Sequence, residues 1–260
     1  MPPRPEPAVV PGTVRTLLCD ADGNLFPSEE PAFEASVGVT NRLLERLGSP
    51  QRYDADTLRR IALGRNFRSL ATDLATDLAT ALSPAELEEW VAEEARVVTA
   101  HLAAVLCPDA AVTDVLARLD RRLRLAVVSS SALARLDACF VATGLDRLFP
   151  AADRFSAQDS LPVPTSKPDP AVYLHAVERL GADPATCLAV EDAVAGVASA
   201  VAAGLPVVGN LVFVPPDEHD ERRRDLLAAG ATTVVDDWAE LAGLLEPAGV
   251  DRGPTVVTVR

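Results

Sequence analysis

Lysine is nearly absent from this sequence. Lys167 is the only lysine among the 24 basic residues, and the other 23 are arginine. The two residue types are not interchangeable, because lysine carries a compact charge on a flexible stem whereas arginine presents a planar fork. A single lysine in an arginine-rich chain therefore indicates a position with a special requirement. The count alone leaves a second interpretation open, in which one surface lysine has survived by chance.

Cysteine is also scarce. The chain has four cysteines, which lie far apart in apolar surroundings: Cys19, Cys107, Cys139 and Cys187. Their scatter argues against a disulfide framework and against a cysteine-rich metal site. Because free cysteine often behaves as a small buried hydrophobic residue, we expect these four to contribute to packing.

An excess of positive charge and a long apolar run are both missing. Acidic residues outnumber basic ones 38 to 24, for a net charge of −14. This balance argues against a nucleic-acid partner, but a metal ion could still offset the charge of a small phosphorylated ligand. No run reaches the roughly 20 apolar residues of a membrane span, and the N-terminus lacks the apolar core of a signal peptide. We therefore expect a cytoplasmic protein without a membrane partner.

The sequence does contain a clear alternation of helices and strands. The apolar run at 14–19 predicts a buried strand, and a long helical stretch follows it. Beyond that stretch, strands alternate with helices, which predicts βαβ units and a parallel sheet with helices on both faces. The fold class is therefore α/β, with an all-helical block inserted after the first strand. The predicted boundaries are a disordered tail at 1–13, a core at 14–28 and 107–250, a helical block at 29–106 and a second tail at 251–260.

Side chains capable of chemistry follow the predicted strands or stand in a loop ahead of a helix: Asp20, Asp22, Ser129, Lys167, Glu191 and Asp192. Taken singly, each has an ordinary explanation as a turn residue, a helix cap or a complement to a helix dipole. Together they place four acids, one hydroxyl and the lone lysine at the carboxyl edge of one sheet, where ligands bind in such folds. Concentrated negative charge is costly unless a cation is present. Carboxylate oxygens favour a hard cation, and Mg²⁺ commonly uses one or two carboxylates plus substrate phosphate.

These residues resemble the four motifs of the haloacid dehalogenase (HAD) superfamily, in the subgroup with a helical cap after the first motif. The motifs occur in order as DADGN at 20–24, Ser129, Lys167 within SKPDP, and Glu191-Asp192 followed by Gly196. The resemblance implies a Rossmann-like core with the block at 29–106 as its cap domain. It covers the chain from residue 20 to 196 by motif, and the remaining elements have the expected lengths.

The resemblance also implies roles for these residues. Asp20 corresponds to a nucleophile that forms an aspartyl-phosphate, and Asp22 to the general acid and base. Ser129 and Lys167 would hold phosphate oxygens, with the backbone N–H groups of residues 130 and 131, both serines, assisting. Mg²⁺ would be bound by Asp192 together with Asp20 and the backbone carbonyl of Asp22. Glu191 would be a further ligand or would support the others.

Single residues separate the subclasses that the resemblance leaves open. Dehalogenases of this superfamily lack the second aspartate of the first motif, so Asp22 disfavours dehalogenation. Members that form a Schiff base use a cap lysine, and the only lysine here lies in the core. A phosphatase and a phosphosugar mutase of the β-phosphoglucomutase type both remain, and the phosphatase is favoured. A receiver-like phospho-acceptor is disfavoured, because receivers are shorter and have no large insertion after the first strand.

The substrate is expected to be a small phosphorylated, sugar-phosphate-like metabolite, acted on by a monomer or weak homodimer. In the predicted cap, Arg65 and Arg68 lie in the stretch GRNFRS at 64–69, about where this type of cap presents its specificity loop. They could contact an anionic or hydroxylated substrate or lie on a solvated helix face. Asn24 stands where family members often have threonine, and the sequence does not explain it.

Overall fold

The computed structural model describes residues 14–62 and 66–245. The predicted tails at 1–13 and 251–260, and Arg65, lie outside the described residues.

A six-stranded parallel sheet forms the centre of the structure. Its order is β3-β2-β1-β4-β5-β6, and its strands are β1 (Thr16–Cys19), β2 (Arg124–Ser129), β3 (Arg154–Ser156), β4 (Cys187–Glu191), β5 (Val207–Asn210) and β6 (Thr233–Val235). Five of these strands have no exposed residue, as expected of a parallel sheet covered on both faces; β2 begins with an exposed arginine. The predicted α/β, Rossmann-like class is confirmed.

Ten α-helices accompany the sheet in the described residues. They are α1 (Glu29–Arg46), α2 (Ala55–Ala62), α3 (Phe67–Asp77), α4 (Pro84–Val105), α5 (Ala110–Leu119), α6 (Leu133–Thr143), α7 (Ala171–Leu180), α8 (Val194–Ala202), α9 (His219–Ala228) and α10 (Trp238–Leu245). Alternate residues of β1 point to opposite faces, so Leu17 packs with α5, α6 and α10, whereas Leu18 packs with α7, α8 and α9. None of the described helices combines the length and apolarity that crossing a bilayer requires.

Helices α1 to α4, which we call the helical segment, follow β1 directly and have a hydrophobic cluster of their own around Leu43, Leu58 and Leu70. Helix α4 begins with a capping box, in which Ser83 Oγ accepts from the Glu86 N–H at 3.2 Å and Glu86 Oε2 accepts from the Ser83 N–H at 3.0 Å. The far end of α4 joins the core through Val98 and Leu102. The predicted division into a core and a cap at 29–106 stays a prediction.

The structure differs from the sequence-based expectation at two strands. Strand β3 was missed, because three residues are too few to show a periodic pattern. The apolar stretch 206–214 is typical of one continuous strand, but β5 ends at Asn210 and the chain then turns. In a parallel sheet a run of apolar residues does not mark where pairing stops, since buried turns are apolar too.

Candidate active site

The register of the sheet brings the predicted residues to one edge. Cys19 is paired with Val127 of β2 on one side and with Val190 of β4 on the other. The residues that follow these three positions therefore emerge side by side. This is the physical reason that Asp20, Ser129 and Glu191, far apart in sequence, share one site.

Three buried carboxylates form the centre of this edge. Asp20, Glu191 and Asp192 have oxygens within 4.8 Å of one another, and each residue is at most 8% exposed. Two of their oxygens, Glu191 Oε2 and Asp192 Oδ1, are buried without a hydrogen-bond partner in the described residues. Unpartnered buried carboxylate oxygens are costly, and a cation is the group that would satisfy them.

The electrostatics of these carboxylates agree with that geometry. Burial, with Asp20 and the other nearby acids adding to it, raises the pKa of Asp192 well above its usual range. Burial likewise raises the pKa of Asp20, against the opposing effect of Lys167. Both shifts report that the protein alone does not compensate the negative charge at this edge.

Lys167 lies at the centre of the site, among three oxygen acceptors. Its Nζ donates to a carboxylate oxygen of Asp20, to Glu191 Oε1 at 2.6 Å and to the Val128 carbonyl at 2.7 Å. The side chain is 6% exposed. Burial works against its charge, but Asp20 and Glu191 outweigh burial and hold the pKa of Lys167 above its ordinary value. The lone lysine is therefore a buried, fully bonded member of the site and not a surface remnant.

Two glycines make room for the acids. Gly23 has a φ of +74°, and a Cβ at this position would lie 2.4 Å from Asp192 Oδ2. At Gly196 a Cβ would lie 1.8 Å from Glu191 Oε2. Any side chain at either position would displace an acid of the triad, so both glycines are required by close approach, and Gly23 also by its left-handed backbone conformation.

Asp22 points away from the triad into a second polar group. It accepts from Ser28 Oγ at 2.5 Å, from Ser131 Oγ at 2.7 Å and from an Arg135 guanidinium nitrogen at 2.8 Å. Burial alone would raise its pKa, but Arg135 and the two hydroxyl donors lower it below the ordinary value. Sequence reasoning missed Ser28 and Arg135. Arg135 stands six residues after Ser129, and only the turn into α6 reveals that it reaches back to Asp22.

The serines after β2 organise this side of the site. Ser129 Oγ accepts from the Ser131 N–H at 3.0 Å, and Ser130 Oγ accepts from the Lys167 N–H at 3.1 Å. Ser129 is buried, and all three serines line the same cavity as Asp20. Their predicted role in holding phosphate stays a prediction. Tyr173 was also missed; its hydroxyl donates to Glu191 from within the core.

Asn24 has a clear structural role. Its Nδ2 donates to the Asp20 carbonyl at 2.8 Å and to the Val190 carbonyl at 3.2 Å, while its Oδ1 accepts from Asn210 Nδ2 at 2.9 Å. Its own carbonyl accepts from the Trp238 indole at 2.9 Å. One fully buried amide thus joins the ends of β1, β4 and β5 directly beneath Asp20. A threonine hydroxyl is too short to make all three of the side-chain bonds.

We predict that Asn24→Ala lowers the free energy of unfolding by about 2–4 kcal/mol, because it removes the Asn24 bond to the buried Asp20 carbonyl and leaves the buried Asn210 amide without its Asn24 partner. Urea unfolding measures this loss. Asn210→Ala supplies the matched partner variant, and the double variant is expected to cost less than the sum of the two single ones. Strict additivity would show that the two amides act independently and would contradict the network.

A cavity of about 360 Å³ opens over this edge. Asp20 and Lys167 line it from the sheet, and Ser36 and Glu94 line it from the helical segment. Arg68 lies outside this cavity, where its guanidinium pairs with Glu88 at 2.5 and 2.7 Å on the surface. A larger cavity of about 620 Å³ borders Asp192 from another side, but Asp20 and Lys167 do not line it. The smaller cavity is therefore the candidate substrate pocket.

The model of the haloacid dehalogenase-like hydrolase family matches residues 14–204, which include every element of this site. The chain belongs to this family. The relationship inferred from the four motifs is thus confirmed, and the family's hydrolase class applies to this chain.

Two named relatives match this chain over stretches much shorter than the family match, and a solved structure matches nearly the whole chain at lower sequence identity. CbbY of Rhodobacter capsulatus is 48% identical over 89 residues, which are 33% of this chain and 37% of that protein. Hexitol phosphatase B of Escherichia coli is 40% identical over 76 residues, 29% of this chain and 33% of the relative. The matched stretch thus spans about a third of the length of each of these two relatives. A HAD family hydrolase of Deinococcus radiodurans, whose structure holds phosphate and sodium, is 26% identical with a TM-score of 0.64, over 91% of this chain and all of that one.

Proposed function

We propose that this protein is a Mg²⁺-dependent phosphatase that hydrolyses a small phosphorylated, sugar-phosphate-like metabolite through an aspartyl-phosphate. The observation that carries the proposal is the buried Asp20 carboxylate, which lies between Lys167 and the two further acids at the floor of a small cavity. The names of the relatives support it, since one is a hexitol phosphatase. We also infer a cytoplasmic location and a monomeric or weakly dimeric state.

The chemistry follows from the two aspartates of the first turn. Asp22 is ionised in the free site because Arg135 and two hydroxyls lower its pKa, so it first takes up a proton as the negatively charged monoester binds beside it. An Asp20 oxygen then attacks phosphorus while the bond to the ester oxygen breaks, and Asp22 gives this proton to the departing oxygen. Water then attacks the phosphorus of the aspartyl-phosphate and passes a proton to Asp22. This attack breaks the bond between phosphorus and Asp20, so that phosphate is released and the Asp20 carboxylate is restored. Lys167 offsets negative charge beside the transferred group throughout.

The residues present fit a divalent cation. Asp20, Asp192 and the Asp22 backbone carbonyl would hold it, with Glu191 as a further ligand or support. The fit rests on the unpartnered Asp192 oxygen and on Gly23, which keeps space beside that carboxylate free. When bound, the ion would supply positive charge that, together with Lys167, offsets the negative charge of the substrate's phosphoryl group.

We predict that phosphate release from p-nitrophenyl phosphate is lost after treatment with a chelator and restored by Mg²⁺. Because the ion would relieve repulsion among buried carboxylates, Mg²⁺ is also expected to raise the melting temperature, by about 2–5 °C. Asp192→Asn should remove both effects, and the exposed Asp217→Asn should keep both. Full activity of the chelated protein would contradict the metal requirement.

A panel of phosphorylated sugars and polyols, scored by release of inorganic phosphate, identifies the substrate class. A phosphosugar mutase would use the same Asp20 but pass the phosphoryl group to a second hydroxyl. Conversion of a hexose 1-phosphate to its 6-phosphate without release of free phosphate would therefore show that the protein is a mutase and not a hydrolase.

A further inference from the structure

The part of the cavity that faces the helical segment contains a separate polar cluster, formed by Ser36 of α1, Glu94 of α4 and Arg135 of α6. Ser36 Oγ donates to Glu94 Oε1 at 2.9 Å. Arg135 lies close enough to Glu94 to act on it electrostatically, and its Nε is buried without a partner in the described residues. We refer to these three residues as the Glu94 cluster. The roles given to the sheet edge use none of them to bind substrate.

The cations of the cavity are already paired. Lys167 and Arg135 are the cationic residues that line it within the described part of the chain. Lys167 is bonded to Asp20 and Glu191, and Arg135 is bonded to Asp22. A phosphate group that reached Arg135 would therefore meet a guanidinium whose charge is already paired with Asp22, and it would also face Glu94.

We propose that Glu94 makes the site selective for phosphate monoesters whose other end is uncharged and hydroxylated, and against bisphosphates. The inference rests on the proposed function and specifies its substrate class. The Glu94 cluster offers what hydroxyl groups need, namely acceptors in the Glu94 carboxylate and the Ser36 hydroxyl at the cavity wall.

The physical basis is the difference between a hydroxyl and a second phosphate at this place. A hydroxyl can donate to the Glu94 carboxylate and replace the water it loses. A phosphate has largely lost its last proton at neutral pH and brings like charge against a largely buried carboxylate, where solvent screens poorly. Discrimination thus comes from a repulsive element as well as from attractive contacts.

The test compares each monophosphate with its own bisphosphate: fructose 6-phosphate with fructose 1,6-bisphosphate, glucose 6-phosphate with glucose 1,6-bisphosphate, and xylulose 5-phosphate with xylulose 1,5-bisphosphate. In every pair that is hydrolysed, we expect kcat/KM of the wild type to be at least about tenfold higher for the monophosphate. Glu94→Gln should reduce this ratio about tenfold, mainly through a lower KM for the bisphosphate. Glu94→Lys should reverse the preference, a gain that a purely structural role would not produce.

Glu89 supplies the matched control. It lies on the same helix and is exposed, so Glu89→Gln and Glu89→Lys make the same charge changes away from the cavity and should leave the ratio unchanged. Hydrolysis of bisphosphates as fast as monophosphates by the wild type would overturn the inference, as would an equal preference in wild type and both Glu94 variants. Asp20-dependent hydrolysis of p-nitrophenyl phosphate without that of any sugar monophosphate would overturn it but leave the proposed phosphatase standing. If the wild type hydrolysed none of these phosphate esters in the presence of Mg²⁺, the proposed function itself would be refuted.

Discussion

Asp20→Asn is expected to lower kcat for phosphate release by about four orders of magnitude or more, because the amide cannot serve as the nucleophile. The substitution keeps the shape of the side chain and removes one negative charge from a buried cluster of three acids. The protein should therefore stay folded, with a melting temperature without metal at or above that of the wild type. Steady-state release of phosphate from p-nitrophenyl phosphate in the presence of Mg²⁺ measures the loss.

The control for this prediction is a chemically identical change on the surface. Asp217 is exposed and does not line the candidate pocket, so Asp217→Asn should retain wild-type kcat. Because asparagine can slowly deamidate to aspartate, the residual activity of Asp20→Asn should be followed over time in freshly purified protein. Stable activity near that of the wild type would show that Asp20 is not the nucleophile.

Lys167→Arg is expected to lower kcat by about 100-fold or more, although it conserves the charge. The Lys167 ammonium is buried and bonded to Asp20, Glu191 and the Val128 carbonyl at once. A guanidinium is larger and planar, so it cannot fit between these acceptors without displacing Asp20 or Glu191. The loss of kcat in Lys167→Arg should be the same at every pH, because arginine remains protonated throughout.

The reverse exchange on the surface is the control for Lys167. Arg118 lies on α5 and is exposed, so Arg118→Lys should leave kcat and the melting temperature unchanged. Lys167→Met tests charge and shape together and should be at least as inactive as Lys167→Arg. If Lys167→Arg kept the wild-type kcat, only the positive charge would be needed at this position, and the shape of the lysine side chain would not explain why lysine is present.

Local patterns in the sequence were sufficient for the sheet and for the centre of the site. Apolar runs that end in charged or hydroxyl residues locate β1, β2 and β4, and a parallel sheet necessarily brings the ends of such strands to one edge. Asp20 and Glu191 were predicted to meet for this reason, and they do. Lys167 reaches both of them from the loop ahead of α7. Only β3 was too short to leave a recognisable pattern.

The sequence alone determined which residues stand at strand ends, and hence the family, the fold and the acidic centre, because these depend on periodicity and on spacing along one chain. The tertiary structure alone decided what lies around them. Asn24 is explained by the side chain of Asn210 and by the backbone of β4, and Arg135 by its reach back to Asp22. Glu94 faces the cavity because α4 packs against α1 and α6. Such contacts join residues from separate elements, so their partners are set by helix packing and not by any pattern within one element.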